Sequence, residues 1–403
     1  RSNVPPNSFV PIGTTDGGGA DGPATAAEIR QQPQLWRLVA AEAKRRRAAT
    51  DDFLRPLLSD QRARIMLSGA GTSAFAGQVL APALTSRLRR RVDAVATTDI
   101  VSSPRAVLGE DVPTLLVSLA RSGDSPESTA TTALADELLS SVRHLVITCN
   151  RHGQLAKAHS DRADSLVLLM PAAANDRGFA MTSSFTSMLL AAQLALDPQS
   201  ALDPQSALGP GGTDHGYVDR LAAAAEQLLA ERAGQLAGLA ARPYRRVVYL
   251  GSGALTGLAR EAALKLLELT AGQVVSSWDS SLGFRHGPKA FLEQGTLCFV
   301  FVSADPYSRR YDEDIADELR RALGDEHVVE VSVHAGGGRP TWHIGDLGHL
   351  PDSLIALPYA VLAQQFALLA SLECGLAPDN PFPSGELSRV VRGINIYSLP
   401  RPT

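Results

Sequence analysis

Residues 246–269 read RVVYLGSGALTGLAREAALKLLEL, in which an apolar, β-branched run meets a Gly-Ser-Gly turn and then a helical pattern. A turn between a strand and a helix leaves free amide donors at the positive end of the helix, which suits an anion. On the helix, Glu261, Lys265 and Glu268 follow at steps of four and three residues, so they share one face. The segment therefore predicts an anion-binding turn followed by a row of acid/base groups.

The bulk composition indicates a globular chain with two lobes. Its 403 residues exceed the roughly 250–300 at which one hydrophobic core usually stops growing. The 38 basic and 42 acidic residues nearly cancel, and no basic run carries interleaved aromatics, so no nucleic-acid partner is expected. Cys149, Cys298 and Cys374 form no Cys-x-x-Cys pair, which argues against a disulfide framework and a zinc site. The predicted location is the reducing cytoplasm.

Two segments have the position or the hydrophobicity of a targeting or membrane signal, but neither has the complete pattern. Residues 1–23 are rich in Pro, Gly, Asn and Thr and lack the apolar core of a signal peptide, so we interpret them as a flexible leader. Residues 354–372 form the most hydrophobic window, but Pro358 and Gln364-Gln365 interrupt it. This pattern favours a buried helix at a lobe or subunit interface over a membrane span.

Strand, turn and helix alternate in two blocks, which predicts an α/β fold with doubly wound parallel sheets. The first block is expected to hold helices over 24–58 and strands at 65–67, 92–97, 114–117, 144–148 and 166–169. The second is expected to hold a helix over 217–239 and strands starting at 247 and spanning 297–302, 328–333 and 353–357. The repeated hexapeptide Asp197–Leu202 indicates a low-complexity linker. The predicted domains are therefore 24–196 and 217–397, joined by 197–216.

The glycine turn occurs once in each block. Met66–Ser73 and Tyr249–Thr256 both run from a strand through a Gly-x-Gly turn into a helix. This similarity indicates an internal duplication of one α/β unit, with a crevice between the two copies.

A hydroxyl-rich turn, Ser118–Ser128, follows the predicted strand at 114–117, and Pro126 in it suits the first position of a helix. Its hydroxyls, amides and one guanidinium can surround a phosphate. An ordinary serine-capped helix gives the same pattern. Two such turns at neighbouring strand ends favour the phosphate site.

Three further groups of polar residues each allow two interpretations. The segment Gly178–Thr186 could orient sugar hydroxyls or cap a helix. The row at 261, 265 and 268 could be a surface helix with ordinary ion pairs. His286 lies in a Gly- and Pro-flanked loop after Arg285, and a histidine near a phosphate site suits proton transfer on a phosphorylated sugar. The spacing of His343, Asp346 and His349 is broken by glycines, so no metal site is expected.

As a set, these motifs resemble the sugar isomerase (SIS) family, specifically its galactosamine-6-phosphate isomerase/deaminase branch with two SIS domains in one chain. The resemblance spans most of residues 24–397. It implies two tandem SIS domains, each a doubly wound parallel sheet flanked by helices, with the C-terminal tail over the active site. The motifs that carry it are Gly69–Ser73, Arg121–Ser128, Ala180–Thr186, Arg260–Leu269 and Leu282–Lys289.

Residue roles follow from a wider relative, the isomerase domain of glucosamine-6-phosphate synthase. By that resemblance, Ser122 and Ser125 hold the sugar phosphate and Glu268 moves the proton between C1 and C2. His286 assists ring opening from the partner subunit, which implies a homodimer with shared active sites. The synthase has a lysine in its C-terminal loop, whereas Arg389 lies near that place here. Arginine stays protonated and cannot form an imine with the substrate.

The predicted function is ring opening and C2 proton abstraction on an amino-sugar 6-phosphate, most like a ketose-forming isomerase/deaminase. A dehydratase that expels the 3-hydroxyl of an N-acetylhexosamine 6-phosphate, and a non-catalytic sugar-phosphate sensor, stay open. A nicotinamide-binding enzyme, suggested by Gly69–Gly71 and Asp99, leaves the Ser122–Ser125 turn without a role.

No cofactor, metal or membrane contact is expected; the expected partners are the phosphosugar substrate and a second copy of the chain. The predicted catalytic residues are Glu268, His286, Lys265 and Glu261. The predicted substrate-binding residues are Gly71, Thr72, Ser73, Arg121, Ser122, Gly123, Ser125, Ser128, Thr182, Ser183, Arg285 and Arg389.

Overall fold

The computed structural model describes residues 22–197, 216–385, 387–391 and 393–400. Almost all of the predicted leader and of the predicted linker lies outside these described residues. Residues 22–197 are called the first lobe below, and residues 216–400 the second lobe.

The first lobe contains eight helices and five strands among its described residues. They are α1 (Ala24–Arg45), α2 (Arg47–Ser59), β1 (Arg64–Ser68), α3 (Thr72–Leu88), β2 (Val92–Ala94), α4 (Thr97–Ser102), α5 (Pro104–Val107), β3 (Thr114–Ala120), α6 (Pro126–Leu138), β4 (Val142–Thr148), α7 (Gln154–His159), β5 (Ser165–Leu169) and α8 (Ser183–Leu196).

The described part of the second lobe contains five helices and five strands. They are α9 (Gly216–Glu231), α10 (Ala233–Ala240), β6 (Arg246–Gly251), α11 (Ala254–Leu269), β7 (Val275–Asp279), β8 (Leu297–Phe301), α12 (Pro306–Leu323), β9 (Val328–Ser332), β10 (Thr341–His343) and α13 (Asp352–Glu373). Short 3-10 turns occupy Gly283–Arg285 and Pro288–Phe291.

Both sheets are parallel and have the same topology. The first has the order β2-β1-β3-β4-β5, and the second has the order β10-β9-β8-β6-β7, which is the same arrangement read from the other edge. The central strands β1, β3 and β8 are buried along their whole length, as expected for sheets covered on both faces. The predicted α/β class with parallel sheets is confirmed, and the shared strand order supports the predicted duplication.

One predicted strand is wrong. Residues 353–357 form the first turns of α13, which continues for 22 residues through Pro358. A short apolar run does not distinguish a strand from a buried helix. The apolar segment continues well past residue 357, and this length is what indicates a helix. The edge strands β7 and β10 were not predicted, because both are short and partly exposed.

The helix α13 is the common core of the two lobes. It is long and apolar enough to cross a membrane, yet 94% of its most apolar window is buried inside the protein. It packs against α11, α9 and α10 and also against α1 of the first lobe. Two of its buried polar side chains are paired: the Gln364 carbonyl accepts from Gln32 at 2.7 Å, and the Tyr359 hydroxyl donates to the carbonyl of Val302 at 3.1 Å. The prediction of a buried helix at a lobe or subunit interface is confirmed, and within the chain the interface is the one between the lobes.

A second contact between the lobes joins α11 to α3. At Gly257, a Cβ would lie 2.8 Å from the backbone nitrogen of Val79 and 2.9 Å from the carbonyl carbon of Gln78. Beside it, the Arg260 guanidinium lies 4.5 Å from the ring centre of Phe75. The missing side chain at position 257 therefore allows the two helices to approach through their backbones.

We expect Gly257→Ala to lower the free energy of unfolding by about 1–3 kcal/mol, because the added methyl group forces α11 away from α3. The measurement is the urea midpoint at constant slope. Gly234→Ala in α10 is the matched control, since its Cβ would meet nothing within 4 Å. That control should raise stability by roughly 0.5–1 kcal/mol. Equal effects of the two variants would contradict the close contact.

Candidate active site

Two turns at the carboxyl ends of β1 and β3 line one cavity in the first lobe. This edge is where the strand order reverses, the usual ligand position in open α/β sheets. We call one part of the lining the cradle, which consists of Ala70, Ser73, Arg121, Ser122, Gly123, Ser125 and Ser128. The other lining residues are Leu119, Ala120, Met181, Arg389, Val390 and Val391.

The turn after β3 is held in place by the loop after β4 and by the start of α7. The Asn150 side chain donates to the carbonyl of Ser122 at 3.0 Å, and the amide of Leu155 donates to the carbonyl of Gly123 at 2.9 Å. Gly123 has φ of 66°, a left-handed conformation that favours glycine. The Ser125 and Ser128 hydroxyls lie 2.7 Å apart, and Ser125 makes no side-chain capping bond to α6. The amides that begin α6 are therefore not capped from within.

Arg121 supplies the positive charge of the cradle. Arg121 is only 7% exposed, and its Nη2 donates to the carbonyl of Arg389 at 2.8 Å. Its Nη1 is buried and has no hydrogen-bond partner among the described residues. Burial, together with the Arg389 charge, lowers the pKa of Arg121 below its usual value. A buried guanidinium that lines a cavity and has no hydrogen-bonded carboxylate in the described part of the chain suits an anionic ligand.

The C-terminal tail crosses the first lobe on its way to this cavity. The Asp379 carboxylate accepts from the amides of Ala24 at 2.7 Å and Thr25 at 2.8 Å, so it caps the start of α1. The ring of Phe382 lies 5.2 Å from that of Phe179. These contacts fix the tail at one end, and residues 389–391 then line the cavity.

The helix α11 brings its acid/base row to the same region. The side chains of Glu261 and Lys265 are 2% and 1% exposed, whereas that of Glu268 is 24% exposed. The Lys265 ammonium donates to Glu268 and lies 3.6 Å from Glu261. Glu261 interacts with Thr72 at the start of α3, and Glu268 interacts electrostatically with Arg121. The row of the second lobe thus adjoins the turns of the first.

Burial affects the pKa values of Glu261 and Lys265 differently. It raises the pKa of Glu261 to about 8, although the neighbouring ammonium opposes this. For Lys265, burial lowers the pKa, but the two carboxylates outweigh it and the pKa lies above its ordinary value. At neutral pH the row therefore holds a protonated Glu261 next to the Lys265 ammonium, and Lys265 donates to Glu268.

Several predicted site residues lie elsewhere. The amides of Thr182 and Ser183 donate to the Asp176 carboxylate at 2.9 and 3.0 Å. This is the geometry of a helix cap, which was one of the two interpretations that the sequence allowed for this segment. Neither of these two residues lines the cavity, although their neighbour Met181 does. The Arg285 guanidinium donates to Glu318 on α12 at 2.7 Å. His286 is exposed next to it, outside the cavity lining.

Sequence reasoning missed two carboxylates that build this region. Asp176 is fully buried and accepts from Thr182, Ser183 and Ser184. Asp379 lies more than 350 residues from the amides it caps. An acidic residue shortly before a Ser/Thr-rich helix start is a recognisable signal for the first. Nothing local could have indicated the second.

Comparison with known proteins identifies the family. The SIS domain profile matches residues 57–197. A D-galactosamine-6-phosphate deaminase AgaS of Escherichia coli is 41% identical over 96% of this chain and 99% of its own length. A Streptomyces coelicolor protein, named as a candidate for the same deaminase, is 55% identical over 93% of this chain and 95% of its own. The chain belongs to the SIS family.

A solved structure extends this relation to the three-dimensional fold. The tagatose-6-phosphate ketose/aldose isomerase of Escherichia coli superposes on this SIS protein with a TM-score of 0.85 and 38% identity, covering 95% of this chain and 99% of that one. The predicted tandem SIS architecture is confirmed. Because these relatives are named as a deaminase and an isomerase, the SIS protein is an enzyme.

The protonated state of Glu261 gives a stability prediction. The folded protein keeps this proton up to a pH of about 8, whereas an unfolded glutamate loses it near its ordinary pKa of about 4.3. Unfolding therefore releases a proton in this window, and the free energy of unfolding falls as pH rises, by at most about 1.4 kcal/mol per unit. We expect Glu261→Gln to remove this slope in urea titrations between pH 5 and 8.

The matched control is Glu110→Gln, whose carboxylate is 61% exposed. This variant should follow the pH dependence of the unchanged protein. An identical slope for Glu261→Gln and the unchanged protein would mean that Glu261 is ionised in the folded state.

Proposed function

We propose that this SIS protein is an amino-sugar 6-phosphate isomerase/deaminase that converts D-galactosamine 6-phosphate to the ketose 6-phosphate and ammonia. The observation that carries the proposal is the meeting of two sets of groups. The cradle, with the buried Arg121, offers donors for a phosphate, and the Glu268 carboxylate adjoins it. The name of the 41% identical relative supports the choice of substrate.

In the proposed reaction the cradle binds the 6-phosphate, and the hydroxyls of Ser122 and Ser125 and the Arg121 guanidinium donate to it. The open-chain sugar then presents its C2 proton to Glu268. Glu268 is the member of the row that is placed to act as a base, because it accepts from the Lys265 ammonium and its side chain is partly exposed. Glu261 is protonated and more deeply buried.

The proton returns at C1, which turns the enolamine into a ketimine at C2. Water adds to that imine carbon, the C–N bond breaks, and ammonia leaves with a ketose 6-phosphate as the other product. No electrons are exchanged with a cofactor at any step. A ketose 6-phosphate is also what the name of the structural relative describes, which supports this outcome of the intermediate.

The tail takes part without covalent chemistry in this proposal. Arg389 presents its backbone carbonyl to Arg121, and its own guanidinium stays protonated, so it cannot form an imine with the open-chain sugar. The ammonia therefore leaves from the substrate imine rather than from a lysine adduct.

A second copy of the chain is proposed to complete the site. His286 is exposed and lies apart from the cavity lining of its own chain. Large apolar side chains of the second lobe are exposed on α11, on β7 and before the His286 turn: Leu267 at 42%, Trp278 at 38% and Leu282 at 49%. Such a surface suits burial against a partner, and we infer a homodimer in which His286 serves the partner's site.

A reducing, cytoplasmic location is inferred from the thiols. Cys149, Cys298 and Cys374 are all free. Burial raises the pKa of Cys149 and Cys298 above the usual range, so both thiols are unreactive.

The reaction is tested by incubating the protein with galactosamine 6-phosphate in deuterated water while following proton NMR and ammonia together. We expect loss of the C2 proton signal and stoichiometric ammonia. Glu268→Gln should lower turnover at least about 10²-fold with a modest change in KM, because one general base supplies about 10²–10⁴-fold. Glu110→Gln should be unaffected. Saturable binding without turnover would contradict the proposal, as would an olefinic product without ammonia from an N-acetylated substrate.

The shared site is tested by mixing two inactive variants, Glu268→Gln and His286→Ala, after partial denaturation and refolding. In a hybrid dimer one site would combine both unchanged residues. Random pairing should therefore restore roughly a quarter of the normal turnover. If each site uses its own His286, the mixture should remain inactive, and light scattering that shows a monomer would also contradict the proposal.

A further inference from the structure

The duplication extends to the backbone of the phosphate-binding turns. Gly71 and Gly253 precede α3 and α11 with φ and ψ of 54° and −126° and of 57° and −121°. The helices after the third strand of each sheet, α6 and α12, both begin with a proline in their first turn. The second lobe therefore has a position, between the carboxyl ends of β6 and β8, that corresponds to the cradle.

The helix start at this second position is capped from within. The Asp305 carboxylate accepts from the amides of Tyr307 at 3.0 Å and Ser308 at 2.9 Å. In the first lobe, Ser125 occupies the same place before the proline and makes no such bond. The amides that could bind a phosphate at α6 are thus already bonded to a carboxylate at α12.

A second carboxylate bonds the strand ends. Asp312 on α12 is fully buried. It accepts from the hydroxyl of Ser252 in the turn after β6 at 2.6 Å and from the amide of Ser303 after β8 at 2.9 Å. The Ser281 hydroxyl also donates to it. One carboxylate therefore uses donors from both sides of the point where the strand order reverses.

The strand register explains why a side chain can reach this point. Ser118 pairs with Ser68 just before the first glycine turn, and Phe301 pairs with Gly251 inside the second. When the two glycine turns are aligned by this register, the connection from the third strand to its helix is two residues shorter in the second lobe than in the first. In the same alignment, Ser303 takes the position of Arg121. The shorter connection has neither the guanidinium nor the Ser-Gly segment that surrounds the first cavity.

We propose that the second lobe is a phosphate cradle closed from within, in which Asp305 and Asp312 occupy the anion positions, so that each chain binds one phosphosugar. The inference rests on the proposed role of the first-lobe cradle. It assigns to Asp312 the place of a bound anion, and it predicts a latent site for phosphate when the two carboxylates are removed.

The test counts the inorganic phosphate bound per chain by calorimetry. The unchanged protein should bind one, and Asp305→Gly/Asp312→Ala should bind two, the additional one with a Kd on the order of 1 mM. Glycine is chosen at 305 because it costs a helix start only a few tenths of a kcal/mol relative to a polar cap. Asp305→Gly/Asp312→Asn is the matched control: the amide fills the same space, so no second phosphate should bind.

The same titration in a Ser122→Ala/Ser125→Ala background separates the two proposals. In that background we expect no bound phosphate when both aspartates are present and one bound phosphate when both are replaced. Counts that do not fall would contradict the proposed role of the first-lobe cradle. The closed second cradle is tested by the one additional phosphate per chain that the aspartate changes should produce in either background. No increment in a variant with native near-UV circular dichroism overturns it, and so does an unchanged protein that binds two. If the double variant does not fold, Asp305→Gly/Asp312→Ser, which keeps a hydroxyl for Ser252, replaces it.

Discussion

The close approach of α11 to α3 is the contact on which the candidate site depends. The cradle belongs to the first lobe and the acid/base row to the second, so neither lobe contains a complete site. Gly257 lets the helix backbones meet, and α13 fixes the arrangement because it packs against helices of both lobes. The position of Glu268 relative to Arg121 is therefore a property of the docked pair of lobes.

The same docking determines the charges of the row. Glu261 faces the start of α3, where the neighbouring lobe excludes water, and burial raises its pKa. Two ionised carboxylates beside one ammonium would leave an uncompensated charge, which is costly for the buried Glu261 in a low-dielectric interior. The deeper carboxyl group keeps its proton, and the outer one pairs with Lys265. Depth along one helix face thus distinguishes two chemically identical side chains.

Local patterns predicted most of the fold and the turns and the helix that form the candidate site. The β-branched run at 246–250, its glycine turn and the spacing of Glu261, Lys265 and Glu268 are all short-range signals, and each has its predicted conformation in the structure. The wrong strand at 353–357 came from a run too short to show its period. The role of Asp379 depends on a contact between distant segments, which no local pattern contains. Asp176 bonds a helix start only a few residues further along the chain, so its role could have been read from the local sequence. The segments Ser122–Ser125 and Thr182-Ser183 are both hydroxyl-rich in sequence, and in the structure Asp176 accepts from the amides of the second.

The Arg121–Arg389 contact has a consequence for ligand binding. A carbonyl partner satisfies one guanidinium nitrogen but carries no net charge, so the positive charge of Arg121 stays uncompensated by that bond. A carboxylate in the same place would have neutralised the cradle and competed with the phosphate that we propose binds there. The tail thereby orients the guanidinium and leaves its charge available. Because Asp379 fixes the tail to the start of α1, the first lobe itself determines where that carbonyl lies.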